Sequence, residues 1–164
     1  MAFTTYSGPI RSGTVKEGAG RNTGSVVLAQ SATINMDGVA KTSGATAQNL
    51  FTLPAGSKIL SFQVEKTVAM TGNSVSACAL IIGNAVDDNQ YLESVAIATA
   101  KGRTAQATVD AGIQVDDCNN IGTADVMLQA IFTATTGNPT AGTVVITCLY
   151  VQRDAAGNAN PTSV

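Results

Sequence analysis

Short runs in which apolar and polar side chains alternate, each bounded by glycine, proline or asparagine, dominate this chain of 164 residues. The clearest run is residues 59–68, where Leu60, Phe62 and Val64 alternate with polar side chains. A period of two predicts a half-buried strand with these three residues facing the core. No window shows a sustained helical period with capping residues, so we expect an all-β fold with at most a short helical turn.

The same reasoning locates the other strands. Further strand candidates are residues 24–34, 45–53, 73–83, 92–98, 104–109, 125–135 and 143–153. Strands of this number and spacing predict an antiparallel two-sheet sandwich, jelly-roll-like, of about eight strands. The turn at residues 70–73 predicts that the strands on either side of it are antiparallel neighbours, and the turn-rich loop 136–142 predicts a terminal hairpin.

Two of these strands carry more apolar side chains than one buried face requires. Residues 73–83 place Val75, Ala77, Ala79 and Ile81 on one face, and the small alanines leave room for larger side chains opposite. Residues 143–153 are apolar on both faces. That strand should therefore lie centrally between layers, or pack its outer face on another subunit.

The composition indicates how many domains the chain forms and in which compartment it is made. A chain of 164 residues that is 45% hydrophobic can bury a core as one domain. The N-terminus lacks the segments of a secretory signal, and no run approaches a transmembrane span, so we expect synthesis in the cytosol and no membrane partner. Cys78, Cys118 and Cys148 are odd in number and far apart, which favours buried reduced thiols over a disulfide framework.

Histidine is absent, which removes the side chain best suited to proton transfer near neutral pH and excludes histidine-based catalytic triads. A carboxylate-dependent hydrolase that uses Glu65 and Glu93 is the remaining catalytic alternative. Glu65 is expected on the outward face of its strand, however, and surface solvation explains both glutamates. We therefore expect no enzymatic activity and no cofactor.

Clustered oxygen ligands occur at residues 87–89 (Asp-Asp-Asn) and 116–120 (Asp-Asp-Cys-Asn-Asn). Two such turns brought together could supply a Ca²⁺ site of six to eight oxygens. Neither has EF-hand spacing, and Asp and Asn are the residues that ordinary turns select. We expect turns rather than a metal site, although cation binding stays open.

Charge is sparse and unevenly distributed. Residues 1–66 hold six basic and three acidic residues, a balance of +3, whereas residues 67–164 hold three basic and eight acidic residues, a balance of −5. This asymmetry could orient the protein on a charged partner, and scattered solvated charges are the alternative. The charges are too few for a nucleic-acid footprint, and 4% aromatic residues provide no stacking platform.

The two ends differ from the middle. Residues 1–12 hold apolar side chains in an extended glycine-proline context, which suits an arm that docks on a neighbour. Residues 154–164 have almost nothing to bury, so we expect a flexible tail after a sandwich domain at residues 13–153. Basic residues in the leading segment, Arg11, Lys16 and Arg21, are interpreted as a weak electrostatic contact to a partner.

Four segments carry a resemblance to a known group. They are residues 6–13 (YSGPIRSG), 26–30 (VVLAQ), 53–59 (LPAGSKI) and 142–151 (GTVVITCLYV). In this order they resemble small structural proteins of tailed bacteriophages, and most of all head decoration, or cement, proteins. The proline-alanine-glycine turn into an alternating strand is common to phage head and tail proteins alike.

The resemblance implies a non-catalytic all-β protein, trimeric with copies of itself, that binds the major capsid protein. Its location would be the virion, on the capsid exterior, after synthesis in the host cytoplasm. There it clamps adjacent shell subunits. Under this hypothesis Phe3, Tyr6, Ile10 and Arg11 anchor the arm to the shell, and Lys16 and Arg21 are further partner-binding residues.

A different class of function remains as an alternative: a receptor- or glycan-binding module of a phage tail or fibre, or of a bacterial adhesin. Sugar sites usually present aromatic platforms beside polar groups. This chain has only three tyrosines and four phenylalanines, and we expect several of them to be buried.

Overall fold

The structure is a computed structural model, and it describes residues 27–40, 43–72, 77–98, 102–108 and 115–152. Its elements in chain order are β1 Val27–Asn35, β2 Gln48–Leu53, β3 Lys58–Gly72, β4 Ala77–Gly83, β5 Leu92–Ala98, β6 Gly102–Thr108, α1 Val115–Asn119, β7 Val126–Ala134 and β8 Pro139–Val151. The one helix in these ranges has five residues. The expected all-β class is therefore confirmed.

The strands form two four-stranded antiparallel sheets. Sheet I has the order β1-β8-β3-β6 and sheet II the order β2-β7-β4-β5. Consecutive strands lie in opposite sheets, except that β4 and β5 are neighbours in sheet II. Eight strands distributed in this way make a jelly roll, which confirms the predicted architecture.

Both predicted pairings of consecutive strands are wrong. β3 lies in sheet I and β4 in sheet II, so they are not the neighbours that the turn at residues 70–73 predicted. β7 and β8 likewise lie in opposite sheets and form no terminal hairpin. The reason is that a short loop can cross the end of a sandwich as readily as it can close a hairpin, and the choice depends on distant strands.

The core lies between the inner faces of the two sheets. Phe62 and Val64 of β3 are fully buried, as predicted, but Leu60 is only half-buried. A register shift between Ile59 and Ser61 inserts an extra residue, so that Ile59 takes the core position expected for Leu60. Such a bulge reverses the alternation of side chains on one side of it.

In β4 the face that holds the alanines is the outer face of the sheet. Cys78, Leu80 and Ile82 are buried, whereas Ala77, Ala79 and Ile81 lie half-buried on the outer face. Val75 falls outside the described residues. Because both faces of this strand are apolar, alternation alone could not decide which of them is buried.

β8 lies between β1 and β3 in sheet I. Its residues alternate between buried and half-buried, so only one of its faces lies on the core and it is not enclosed between layers of this chain; packing of its outer face on another subunit stays a prediction. Cys78, Cys118 and Cys148 are free and buried, as their number and spacing indicated. No helix in the described part of the chain has the length and hydrophobicity needed to span a membrane.

Candidate interaction surfaces

The residues predicted to bind a partner precede β1 in the chain. Phe3, Tyr6, Ile10, Arg11, Lys16 and Arg21 all lie outside the described residues, as do the predicted arm at residues 1–12 and the predicted tail at residues 154–164. Their roles and the domain boundaries remain predictions. The surfaces below belong to the jelly roll itself.

Charged residues are missing from most of the strands. β1, β2, β4, β7 and β8 contain no Asp, Glu, Lys or Arg. Of the eight acidic residues in the described part, two lie in strands, two in helix α1 and four in connecting loops, namely Asp37, Asp87, Asp88 and Asp125. The outer faces of both sheets are therefore poor in charge, a feature that could have been noticed in the sequence.

The outer face of sheet II is apolar at its centre. Ile81 of β4 and Ile131 of β7 are directly opposite each other in the register, and both are half-buried. Two residues further along the strands, Ala79 pairs with Thr133 on one side and with Ala96 on the other. We call the apolar members of this surface the isoleucine face; they are Ala77, Ala79, Ile81, Ala96, Met127 and Ile131.

Polar groups interrupt the isoleucine face between Met127 and Ile131 and border it on the side of β2. Gln129 donates a side-chain hydrogen bond of 2.8 Å to Oδ1 of Asn49, its partner in the register. Thr52 places its hydroxyl 3.8 Å from the sulfur of Met127, a side chain that is 43% exposed. An apolar centre with a satisfied polar border is the usual anatomy of a protein–protein interface.

The outer face of sheet I has a different chemistry. Ser31 of β1 and Thr147 of β8 are opposite each other and their hydroxyls lie 2.7 Å apart in a hydrogen bond. Val145 lies two residues further along β8, and its register partner on β3 is Glu65, which is exposed as predicted. We call this surface, rich in serine and threonine, the hydroxyl face.

Of the two acidic segments predicted as turns, residues 87–89 lie in a turn, whereas most of residues 116–120 lies in helix α1. Oδ1 of Asn84 accepts hydrogen bonds from the backbone N–H of Val86 at 2.7 Å and of Asp87 at 3.0 Å, and Asp87 in turn accepts from the N–H of Asn89 at 3.3 Å. Gln90 donates to Asp117 at 3.3 Å, which links this loop to helix α1. Within the described ranges no group of three or more metal-ligating side chains comes together.

The structure does not bring together the two glutamates considered for catalysis. Glu65 lies on β3 of sheet I and Glu93 on β5 of sheet II, and both are exposed. Burial raises the pKa of Cys78 to about 11 and that of Cys118 to about 12, and it also raises the pKa of Cys148. These thiols are therefore held in the neutral, weakly nucleophilic form.

Most of the described aromatic side chains are inside the sandwich. Tyr91, Tyr150, Phe62 and Phe132 are buried, and Phe51 is half-buried. The hydroxyl of Tyr150 accepts a hydrogen bond of 2.9 Å from Gln30. None of these five rings is exposed enough to serve as the open aromatic platform on which a sugar would stack.

One buried residue escaped the sequence reasoning. Lys66 follows Phe62 and Val64 on the inner side of β3 and is only 3% exposed. Desolvation lowers the pKa of its ammonium group. The signal was present in the sequence, since Lys66 continues the period of two set by Phe62 and Val64.

Comparison with known proteins agrees with the fold. No family model matches the chain, and no curated protein matches its sequence. Among solved structures, a chain of the capsid asymmetric unit of cyanophage Pam1 is similar, with a TM-score of 0.55 and 18% identity over 93% of this chain and 100% of that one. The expected resemblance to phage structural proteins is thus confirmed at the level of the fold.

Two further structures are similar at lower scores. A chain of the capsid of Helicobacter pylori bacteriophage KHP30 has a TM-score of 0.47 and 15% identity, over 78% of this chain and 89% of that one. A chain of Bacillus endospore appendages, described as disulfide-linked pili, has a TM-score of 0.39 and 11% identity, over 92% and 100% of the two chains.

Proposed function

We propose that this protein is a non-enzymatic structural protein of a bacteriophage virion, and specifically a decoration or cement protein that binds the outside of the head. The observation that carries the proposal is the jelly roll together with its likeness to a chain of a cyanophage capsid. That likeness extends over the whole of the capsid chain and 93% of this one, so the two are of similar size.

The chemistry of the described surfaces supports attachment rather than catalysis. Five of the eight described strands carry no charged residue, which suits repeated contacts with other polypeptides. The raised thiol pKa values and the separation of Glu65 from Glu93 leave these groups without an evident catalytic role.

In the proposed mode of binding, the leading arm attaches the protein to the major capsid protein and the sandwich contacts the neighbouring copies. Phe3, Tyr6 and Ile10 supply apolar anchors, and Arg11, Lys16 and Arg21 supply positive charge for an acidic patch on the shell. Association into a homotrimer is part of the proposal because the resemblance to decoration proteins implies it.

The test is addition of the purified chain to heads of the encoding phage that lack it. We expect saturable binding at a fixed ratio to the major capsid protein, and a higher temperature of head disruption. A variant without residues 1–12 should bind much more weakly, whereas a control without residues 154–164 should bind as the full chain does. Undiminished binding of the first variant would remove the arm from the proposal.

Failure of the full chain to bind heads, together with saturable binding to a host glycan or receptor, would favour the adhesin alternative. Jelly rolls occur in lectins as well as in viral capsids, so the fold alone does not separate the two functions. The buried positions of Tyr91, Tyr150, Phe62 and Phe132 argue against a sugar platform on the described surface.

A further inference from the structure

We propose that one end of the jelly roll faces the head and that the turn around Val86, at this end, contacts the shell in addition to the leading arm. The partner of Val86 is an apolar recess of the major capsid protein, bordered by basic side chains. This inference rests on the proposed function, because it names the part of the sandwich that lies against the shell.

The chain enters and leaves the sandwich at one end. β1 begins at Val27, whose register partner is Val151 at the end of β8. Val151 also pairs with Lys58 at the start of β3. The segment before β1 and the segment after β8 are therefore joined to the sandwich at the same place, which we call the entry end.

The length of chain before Val27 limits how far the entry end stands from the shell. Arg21 is the last residue proposed to bind the head, and six residue steps separate it from Val27. An extended chain advances at most about 3.6 Å per residue, so the two residues are at most about 22 Å apart. β8 has 13 residues and extends about 40 Å from the entry end. A sandwich with its opposite end on the shell would hold Val27 beyond this reach.

The loop that follows β4 also lies at the entry end. β2 leads directly into the start of β3, and its last residue, Leu53, pairs with Val126 at the start of β7. Because β4 is antiparallel to β7, β4 ends at Gly83 close to the start of β7. Residues 84–91 therefore emerge from the sandwich at the end that the leading segment joins.

Val86 is presented to solvent by a turn with a fixed conformation. Its side chain is 97% exposed, more than any other large apolar side chain in the described ranges. Oδ1 of Asn84 accepts hydrogen bonds from the N–H groups of Val86 and Asp87, and its amide nitrogen donates to Gln90. Gln90 in turn donates to Asp117 of α1. An apolar side chain on a preorganised turn gains contact area on binding at little cost in conformational entropy.

The charge beside Val86 indicates what borders the recess. Asp87 and Asp88 follow it directly, and both are exposed, as is Asp125 at the same end of the sandwich. Basic side chains on the shell would complement these carboxylates. The leading arm carries the opposite charge, so the arm and the turn recognise different parts of the shell. The outer faces of the two sheets stay at the sides, where neighbouring copies stand.

The test is binding of Val86→Arg to heads that lack the protein, measured beside the unmodified chain. An arginine removes the apolar anchor and is repelled by the basic border, so we expect the dissociation constant to rise tenfold or more. Val86→Ser, which adds no charge, should weaken binding less. Since the side chain is 97% exposed, neither substitution should change the midpoint of thermal unfolding.

The matched control is Val68→Arg. Val68 is also an exposed valine, at 50%, but it lies ten residues beyond the start of β3 and thus about 33 Å from the entry end. This variant should bind heads as the unmodified chain does. An equal loss of binding in Val68→Arg and Val86→Arg would overturn the contact. A change in the mass of the free protein caused by Val86→Arg would assign the turn to a contact between copies and would overturn it too.

The unmodified chain separates this inference from the proposed function. If it binds heads saturably and Val86→Arg binds equally well, the contact at Val86 is refuted and the decoration role stands. If the unmodified chain binds no heads, the decoration role is refuted and the contact with it.

Discussion

At the residue scale, Gly83 shows why one position at the end of a strand must lack a side chain. The loop after β4 folds back over it, and the N–H of Asn84 donates to the carbonyl of Asp87 at 2.8 Å. A Cβ on Gly83 would lie 2.0 Å from that carbonyl oxygen and 2.4 Å from the carbonyl carbon of Asp88. Both contacts are with backbone, so relief requires the whole loop to move.

Gly83→Ala should therefore destabilise the protein by about 2 kcal/mol or more, since overpacking against backbone cannot be relieved by rotating a side chain. Gly38→Ala is the matched control: its φ of 68° disfavours alanine, but nothing lies within 4 Å of the added Cβ. That control should lose only about 1 kcal/mol. Urea unfolding followed by circular dichroism measures both, and equal losses would contradict the proposed clash.

The buried ionisable groups make stability depend on pH in a direction that can be worked out. In the unfolded chain the cysteine thiols lose their protons near the ordinary pKa of 9.0, whereas in the folded chain burial raises the pKa to about 11 for Cys78 and about 12 for Cys118. The folded state thus binds more protons between these values, and stability falls as pH rises. Burial raises the pKa of Tyr91 with the same consequence, while the lowered pKa of Lys66 acts in the opposite sense.

The raised pKa values of three thiols and of Tyr91 lower stability as pH rises, and only the lowered pKa of Lys66 acts against them. The free energy of unfolding should therefore be flat between pH 7 and 8 and should fall between pH 9 and 11. Denaturant titrations at fixed pH values give the slope. In Cys118→Ala the fall should be shallower, since one of the thiols is gone. A stability that rises over the same interval would contradict the assignment and would indicate that Lys66 dominates.

At the scale of elements, the positions of the strands were predictable from the sequence, but which face of each strand is buried was not always predictable. Phe62 and Val64 were assigned correctly because apolar and polar residues alternate there, whereas the bulge beside Leu60 has no signature in the alternation. In β4, both sets of alternating residues are apolar, so the pattern could not say that Ile81 faces outward. Pairing within sheets depends on residues far apart in the chain and is not a local property.

Alanine substitutions in β3 test the bulge. Phe62→Ala removes a fully buried ring and should cost about 3–5 kcal/mol. Leu60→Ala removes a half-buried side chain from a residue that the bulge displaces from the core, and it should cost about 1 kcal/mol. Thermal or urea unfolding of the two variants is the measurement, and comparable losses would indicate that both side chains share the core face.

At the scale of the whole molecule, the jelly roll joins the two ends of the described chain. β8 pairs along its length with β1, where Val27 opposes Val151, and on its other side with β3. Such a fold leaves two broad outer faces, and their low charge was visible in the sequence as five strands without a charged residue. From the sequence, only the outer face of residues 143–153 was predicted as an alternative contact with another subunit, and the named partner-binding residues all lie in the leading segment.

The central claim, that this jelly roll is a head decoration protein, is tested most directly by a cryo-electron microscopy reconstruction of the encoding phage. The account predicts density for the eight-stranded sandwich on the outer surface of the head, in a constant number of copies per shell subunit, with the leading residues in contact with the major capsid protein. Sandwich density confined to the tail or its fibres, with a bare head surface, would contradict it.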